Sequence, residues 1–433
     1  MASTYLTRSV STTGNRRTWT FSAWVKRSNT TQQYQNMFAA GSNNIRINFS
    51  NQNIWVYDYN GSGFDFYLVT NRLFRDTNAF YHIVVAVDTT QATSSDRVKL
   101  YINGVQETSF STETYPSQNH DTEANTSGEN NVIGTDAGSL GSNSFDGIMS
   151  HVHWIDGTAY NASAFGETDA NGVWTINTSP SVTYGTNGFF ILKDSASVTD
   201  QSGNGNNFTV GGGTLTDTLD CPANVFATLN PLVASYSAIT YSNGNLKATY
   251  PGTWTGTHAT LGASSGKYYW EIKSNTTDSS GGNGWHGVVS ENVNMSSSTL
   301  YSATEGQVMI KNNGDLRINN STTSSYGSAY SNGDIVGIAV DLDSATKTIQ
   351  FYKNGTTNGS LVNLPTNMQD TFIIPFVMGN SSTNAINHEA NFGNGYFGST
   401  AVSSAGTNAS GIGIFEYDVP TGYTALSTKG LNL

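Results

Sequence analysis

The stretch IVVAVD (Ile83–Asp88), followed by VKLYING (Val98–Gly104), is closely matched far along the chain by IVGIAVD (Ile335–Asp341) and IQFYKNG (Ile349–Gly355). Each copy reads as an apolar strand ending in Asp, a polar connection, an alternating strand carrying a Tyr, and an Asn-Gly turn of the kind that accepts positive φ. Finding the hairpin twice predicts two related antiparallel sandwiches, with convergent hairpin chemistry as the competing explanation. Two copies are too few for a solenoid, which needs ~3 or more units to bury a continuous core.

Outward from these hairpins the strand signals continue. WTFSAWV (Trp19–Val25) alternates, IRINF (Ile45–Phe49) follows a Gly-Ser-Asn turn, and IWVYDY (Ile54–Tyr59) runs into Asn60-Gly61, so a β-meander is expected. GFFILK (Gly188–Lys193) has the character of a closing strand. Between the two halves lie a turn-rich run at 200–207 and the glycines Gly211–Gly213. The expected organisation is a first sandwich over residues 1–213, a linker over 214–232, a second sandwich over 233–397, and a C-terminal strand and tail over 398–433. A length of 433 residues allows two or three domains at roughly 100–200 residues each. With 45 Gly, 22 Tyr and 20 Phe but only 12% charged residues, the composition favours strands and turns, and all-β is the expected class.

The net charge of −12, with positive residues scattered, lacks the electrostatic footprint of a nucleic-acid or anionic-membrane binder. No apolar run approaches the ~18 residues of a membrane span, and residues 1–8 have no secretory apolar region. Synthesis in the cytoplasm without a signal peptide, and no membrane insertion, are therefore expected. Cys221 is the single cysteine, which excludes an intrachain disulfide. Low Lys content and Asn/Ser/Thr/Gly-rich loops suit a surface or fibre protein released by lysis, such as a virion component.

Three blocks of the first half, TWTFSAWVK (Thr18–Lys26), YING (Tyr101–Gly104) and FDGIMSHVHW (Phe145–Trp154), resemble successive strands of a concanavalin A-like, laminin-G-type domain. That resemblance implies a jelly-roll sandwich that binds glycans or proteins through its loops or a concave sheet face. In the second half KYYWEI (Lys267–Ile272), GWHGVV (Gly284–Val289), GDIVGIAVDLD (Gly333–Asp343) and FYKNG (Phe351–Gly355) resemble a SPRY domain, which implies a second sandwich with a loop-lined protein-recognition surface. The pair, joined by CPANVFATLNP (Cys221–Pro231), resembles structural or fibre proteins of tailed marine phages.

Candidate chemistry is sparse. Glucanases of the concanavalin A-like fold carry Glu-x-Asp-x-Glu or Glu-x-Asp-x-x-Glu on one strand, and neither occurs; Glu167-Thr168-Asp169 and Glu416-Tyr417-Asp418 both lack the third acid. His151 and His153 alternate ahead of Asp156, but no further His/Cys pair completes a tetrahedral zinc site, so half-buried sheet surface is the better account. No phosphate loop and no Gly-x-Ser-x-Gly elbow is present. Non-enzymatic action is expected. Calcium is the cofactor to consider: the laminin-G resemblance implies a rim site, and Asp121, Glu123, Glu129 and Asp136 lie in a polar loop suited to it, although a solvated acidic loop accounts for them equally.

For binding, Trp55, Tyr57 and Tyr59 project from one face of their strand and offer flat surfaces to sugar C–H faces; the same alternation is met if that face is core. In the second half Trp285 and Tyr326 lie near Gly/Ser/Asn-rich segments as candidates for a recognition surface, and Trp270 reads as core. The expected function is a phage tail or head fibre adhesin that binds host-cell surface glycans or envelope proteins, acting as a homo-oligomer, with a trimer favoured. The alternatives are a capsid decoration or tail-assembly protein bound to other virion proteins, and a polysaccharide depolymerase.

Overall fold

The computed structural model describes residues 4–41, 44–233, 235–251, 253–275, 283–380 and 386–433. The chain is all-β with only short 3-10 turns, and no helix among the described residues is long and apolar enough to cross a membrane. It divides into two compact units, Met1–Asp217 with Cys221–Ala223, and Asn224–Leu433 with Thr218–Asp220.

The first unit is a two-sheet sandwich. Its eight-stranded sheet runs, edge to edge, through Phe110–Thr114, Phe64–Thr70, Asn53–Tyr59, Ile45–Ser50, Tyr34–Ala40, Asn130–Ile133, Tyr5–Ser9 and Thr209–Gly211. Its six-stranded sheet runs through Phe189–Ile191, Gly147–Asp156, Thr18–Arg27, Tyr81–Asp88, Val98–Ile102 and Val105–Glu107. Ile45, Ile47, Phe49, Ile54, Val56 and Phe66 of one sheet meet Phe21, Val25, Ile83, Val85, Leu100 and Trp154 of the other in a solvent-free core. Two buried indoles keep their polar ends satisfied from one loop, Trp19 Nε1 donating to Thr122 Oγ1 at 3.0 Å and Trp154 Nε1 to Asn125 Oδ1 at 2.8 Å.

The second unit repeats the plan. Trp270, Ile272, Val336, Ile338 and Phe351 of its nine-stranded sheet pack on Val288, Val308, Ile310 and Val377 of a six-stranded sheet. Its ladders are antiparallel except one, where Tyr268 and Tyr269 pair in parallel with Thr424 and Ala425. The stretch 214–232 supplies Phe226, Ala227 and Leu229 to the cores of this unit, and the C-terminal 36 residues supply Phe415, Val419, Ala425 and Leu426. Linker and tail are thus partly built into the second sandwich.

The repeated hairpin has one design in both units. At matching positions Val84 faces Tyr101 and Gly337 faces Tyr352, and the turns Asn103-Gly104 and Asn354-Gly355 hold φ of 49° and 82°, and of 47° and 78°. Each turn Asn also accepts on Oδ1 from the backbone N–H that begins the partner strand, His82 at 2.8 Å and Ile335 at 2.9 Å. The apolar strands are continuous because both their faces are covered. Val84 lies under Ile155, Ala162 and Phe165 of the first unit; Ala339 lies under Phe226, Phe415 and Val419 of the second.

Candidate functional site

Each unit has two outer sheet faces. Three of the four carry an apolar layer formed by their own chain: residues around 160–184 over the six-stranded sheet of the first unit, and, in the second, 415–425 over one sheet and 293–303 over the other. Among the described residues, no separate apolar cluster lies on the outer face of the eight-stranded sheet, where Asn48 and Tyr57 are nevertheless buried.

That face is where Trp55, Tyr57 and Tyr59 point. Ile54 and Val56 fill the inter-sheet core, so the alternate side chains leave it on the other side. Across the ladder Tyr57 sits opposite Tyr67. Trp55 meets Tyr34 and Tyr67 edge-on at ring-centroid distances of 5.7 and 5.4 Å, and Tyr57 meets Phe64 edge-on at 5.3 Å. Phe64 stacks on Tyr67 at 4.5 Å and is 46% exposed. Burial pushes the Tyr57 hydroxyl up to about 12, which keeps it a proton donor at neutral pH. A bulge between Asp58 and Tyr59 sets the end of the hairpin and brings Phe64 onto the terrace beside Tyr59.

Polar groups border these rings. The Arg46 guanidinium lies 5.9 Å from the Tyr57 ring centre and pairs with Asp136 at 3.2 Å. Asp136 also accepts from Asn36 Nδ2 and, at 2.7 Å, from Asn143 Nδ2. These bonds, with Asn36 N–H donating to the Asn143 carbonyl at 2.9 Å, tie the 134–145 loop to the sheet. Elsewhere in this unit, a polar cavity of about 460 Å³ is lined by Thr7, Arg8, Ser9, Asn130, Asn206 and Thr209, with Leu140 of the same loop at its wall. Nothing in the sequence marked this cavity, because its walls come from segments some 200 residues apart.

The four rim carboxylates do not gather. Asp121 pairs with Arg17 at 2.7 Å and Glu123 with Arg16 at 3.2 Å, Asp136 is held by Arg46, and Glu129 joins none of them. A different group could hold a metal ion: Asp58, Asp65 and His120, whose ligand atoms all lie within 4.8 Å of one another. The Asn60-Gly61 hairpin brings the two Asp residues together, a closeness the sequence suggests, whereas His120 arrives from a loop 62 residues on. His151 occupies φ 50° at a break in register, so it does not continue the alternation to His153. His153 is instead stacked on Phe190 at 4.0 Å with Nδ1 bonded to the Tyr184 hydroxyl, and Asp156 accepts the backbone N–H groups of Asn15 and Asn187.

In the second unit Trp285 is 1% exposed and packs with Leu300, Met309 and Met378, so it is removed from any surface. Gly/Ser/Asn-rich segments adjoin it, but Gly284–Val289 lies inside a strand, where a Cβ on Gly287 would fall 2.0 Å from the Val308 carbonyl oxygen. Tyr326 is half-buried against Phe351, with its hydroxyl donating to the Ser360 carbonyl. Trp270 is core, as the sequence suggested.

Two known families match the chain: the concanavalin A-like lectin/glucanases superfamily, in its laminin-G form, over residues 2–163, and the SPRY domain over residues 267–392. Among solved structures, the SPRY domain of human HERC1 is 21% identical and covers 37% of this chain and 96% of its own, with a TM-score of 0.32. A heptameric SAP-like pentraxin from Limulus polyphemus is 16% identical over 37% of this chain and 72% of its own, with a TM-score of 0.29. The PSpry domain of TRIM65 is 13% identical over 38% of this chain and 91% of its own, with a TM-score of 0.28. No curated protein matches the sequence.

Proposed function

From a chain in which a concanavalin A-like laminin-G domain is followed by a SPRY domain, we propose a non-catalytic glycan-binding protein that uses the outer face of the eight-stranded sheet. The carrying observation is the terrace of Trp55, Tyr57, Phe64 and Tyr67 on the outer face of that sheet, where Phe64 is exposed, Trp55 and Tyr67 are half-buried and Tyr57 lies buried between them. Flat rings offer apolar surface to the C–H faces of a sugar, and polar side chains at their edge supply the orienting hydrogen bonds. Asp136 reaches this face, but both its oxygens are engaged by Arg46, Asn36 and Asn143, which argues against an acid or base role there. In keeping with the weakly charged, Asn/Ser/Thr/Gly-rich sequence, the setting we propose is a virion surface displaying many copies toward host polysaccharide.

The test is retention of host surface polysaccharide by the full chain on multivalent beads, with reducing ends assayed in the same tubes. Phe64→Ala and Trp55→Ala are each expected to weaken retention about 2- to 10-fold. Melting temperature reports whether the fold survives. Equal retention by wild type and both variants would remove the terrace from the function, and new reducing ends would replace an adhesin with a depolymerase. Binding of virion proteins in place of every glycan would favour the assembly role.

A further inference from the structure

Asp58 is fully buried, yet its Oδ1 has no hydrogen-bond partner. The other oxygen, Oδ2, accepts from the Glu123 backbone N–H at 3.3 Å and lies 3.4 Å from His120 Nε2. Asp65 Oδ2 lies 3.7 Å from the same imidazole nitrogen. Asn60 fixes Asp65 by donating to both its oxygens at 3.0 Å, while Asn60 Oδ1 is itself held by the N–H groups of Ser62 and Gly63. A buried carboxylate oxygen without a donor is costly, and one explanation for its persistence is a cation that the site is built to accept.

We propose that Asp58, Asp65 and His120 form a site for one first-row divalent transition ion of the zinc class. Two carboxylates and an imidazole are a donor set such an ion takes, whereas calcium prefers six to eight oxygens and has no use for the ring nitrogen. The spacing agrees: ligands bound at about 2.0–2.2 Å around one tetrahedral ion stand about 3.3–3.6 Å apart, close to the 3.4 and 3.7 Å between the nitrogen and the two carboxylates. The ion would clip the Asn53–Tyr59 and Phe64–Thr70 hairpin to the loop bearing His120, and three protein ligands leave a position open for water or a ligand oxygen. This inference stands apart from the glycan reading, since the bound ion is read without any sugar.

The test loads the full chain with zinc, manganese or calcium separately, passes it through a desalting column, and counts metal per chain by elemental analysis, with thermal melts in parallel. Wild type is expected to keep about one zinc per chain and to melt about 5–10 °C higher at a hundredfold excess over Kd. His120→Gln and Asp65→Asn, both at partly exposed positions, are expected to weaken zinc binding at least tenfold while folding normally in its absence. Zinc retained equally by wild type and both variants would overturn the assignment, as would a melting shift produced by calcium and not by zinc or manganese. A wild type that keeps no metal and shows no shift would overturn it as well.

Discussion

Glu271 offers a test of the second sandwich in which the sign and size of the effect follow from one side chain. Its carboxylate is fully buried and accepts the backbone N–H groups of Glu416 and Tyr417 at 2.9 Å each, with the Tyr269 hydroxyl at 3.1 Å, so it clamps the C-terminal segment onto the nine-stranded sheet. Burial, which outweighs those donors, pushes its pKa from 4.5 to about 7, with the nearby Glu416 charge adding to the rise. A carboxyl whose folded pKa lies above its unfolded value binds its proton more tightly when folded. Its contribution is therefore fully present below about pH 4.5 and is lost as pH rises through about 7. At 1.36 kcal/mol per pH unit the whole span is worth about 3 kcal/mol. Glu271→Gln removes the titration; it also turns one oxygen into a donor facing the clamped N–H groups, at a pH-independent loss of about 1–2 kcal/mol. Urea unfolding of the whole chain from pH 4 to 8, with hydrogen exchange of residues 268–272 reporting the second unit, should show wild type losing about 3 kcal/mol relative to the variant as pH rises. Buried His286 and His388, whose pKa values are lowered, impose the opposite trend, but they are common to both proteins and cancel in the difference. A difference that stays level across that range, or grows in favour of wild type with pH, would refute the reasoning.

The other predictions concern the first sandwich. Gly104 and Gly61 both follow Asn at positive φ, of 82° and 89°, but a Cβ on Gly104 would fall 2.4 Å from the Trp174 ring, whereas Gly61 has open space around it. Gly61→Ala should cost about 1–2 kcal/mol from backbone strain alone. Gly104→Ala should cost about 2–4 kcal/mol because the indole must also move; equal losses in urea melts would show that Trp174 yields freely. Asp136→Ala strands Arg46, whose side chain is only 16% exposed, and frees the 134–145 loop, for an expected loss of about 3 kcal/mol. The double change Arg46→Met with Asp136→Leu should recover a large part of that loss in the same melts, and no recovery would mean that the bonds from Asn36 and Asn143, not the ion pair, carry the stability.

Readability in the sequence followed the range of the interaction. The two hairpins were legible because their causes are local: an apolar strand, an alternating partner, and an Asn whose backbone takes positive φ while its side chain caps the neighbouring strand. The face taken by Trp55, Tyr57 and Tyr59 was not legible, because IWVY is apolar on both sides of the strand. What decides it is the register with the neighbouring strands, which puts Ile54 and Val56 in the inter-sheet core beside Phe49 and Phe66 and leaves the alternate rings on the other face. Trp285 was placed on a surface because Gly/Ser/Asn-rich segments adjoin it, when its strand is buried and Gly287 is required by the close approach of the neighbouring strand. The acidic loop was legible as acidic, but its arginine partners, more than 100 residues upstream for Asp121 and Glu123, were not. The same distance hides His120 from Asp58, and residues 416–417 from Glu271.

The terrace also sets what binding can amount to. Ring contacts worth about 0.5–1.5 kcal/mol each sum over two or three rings to at most about 4.5 kcal/mol, so even before the association entropy is subtracted they supply no more than millimolar affinity to a single site. A lone copy would therefore be a poor ligand trap. Copies held on one particle see the second and third sugar chains at millimolar effective concentration, which raises avidity by 10²–10⁴ without any further contact. A chain that presents the exposed Phe64 ring beside half-buried Trp55 and Tyr67 on an outer sheet face suits that proposed mode of use. In the proposed adhesive role, the weakness of each site would keep attachment reversible until many copies engage.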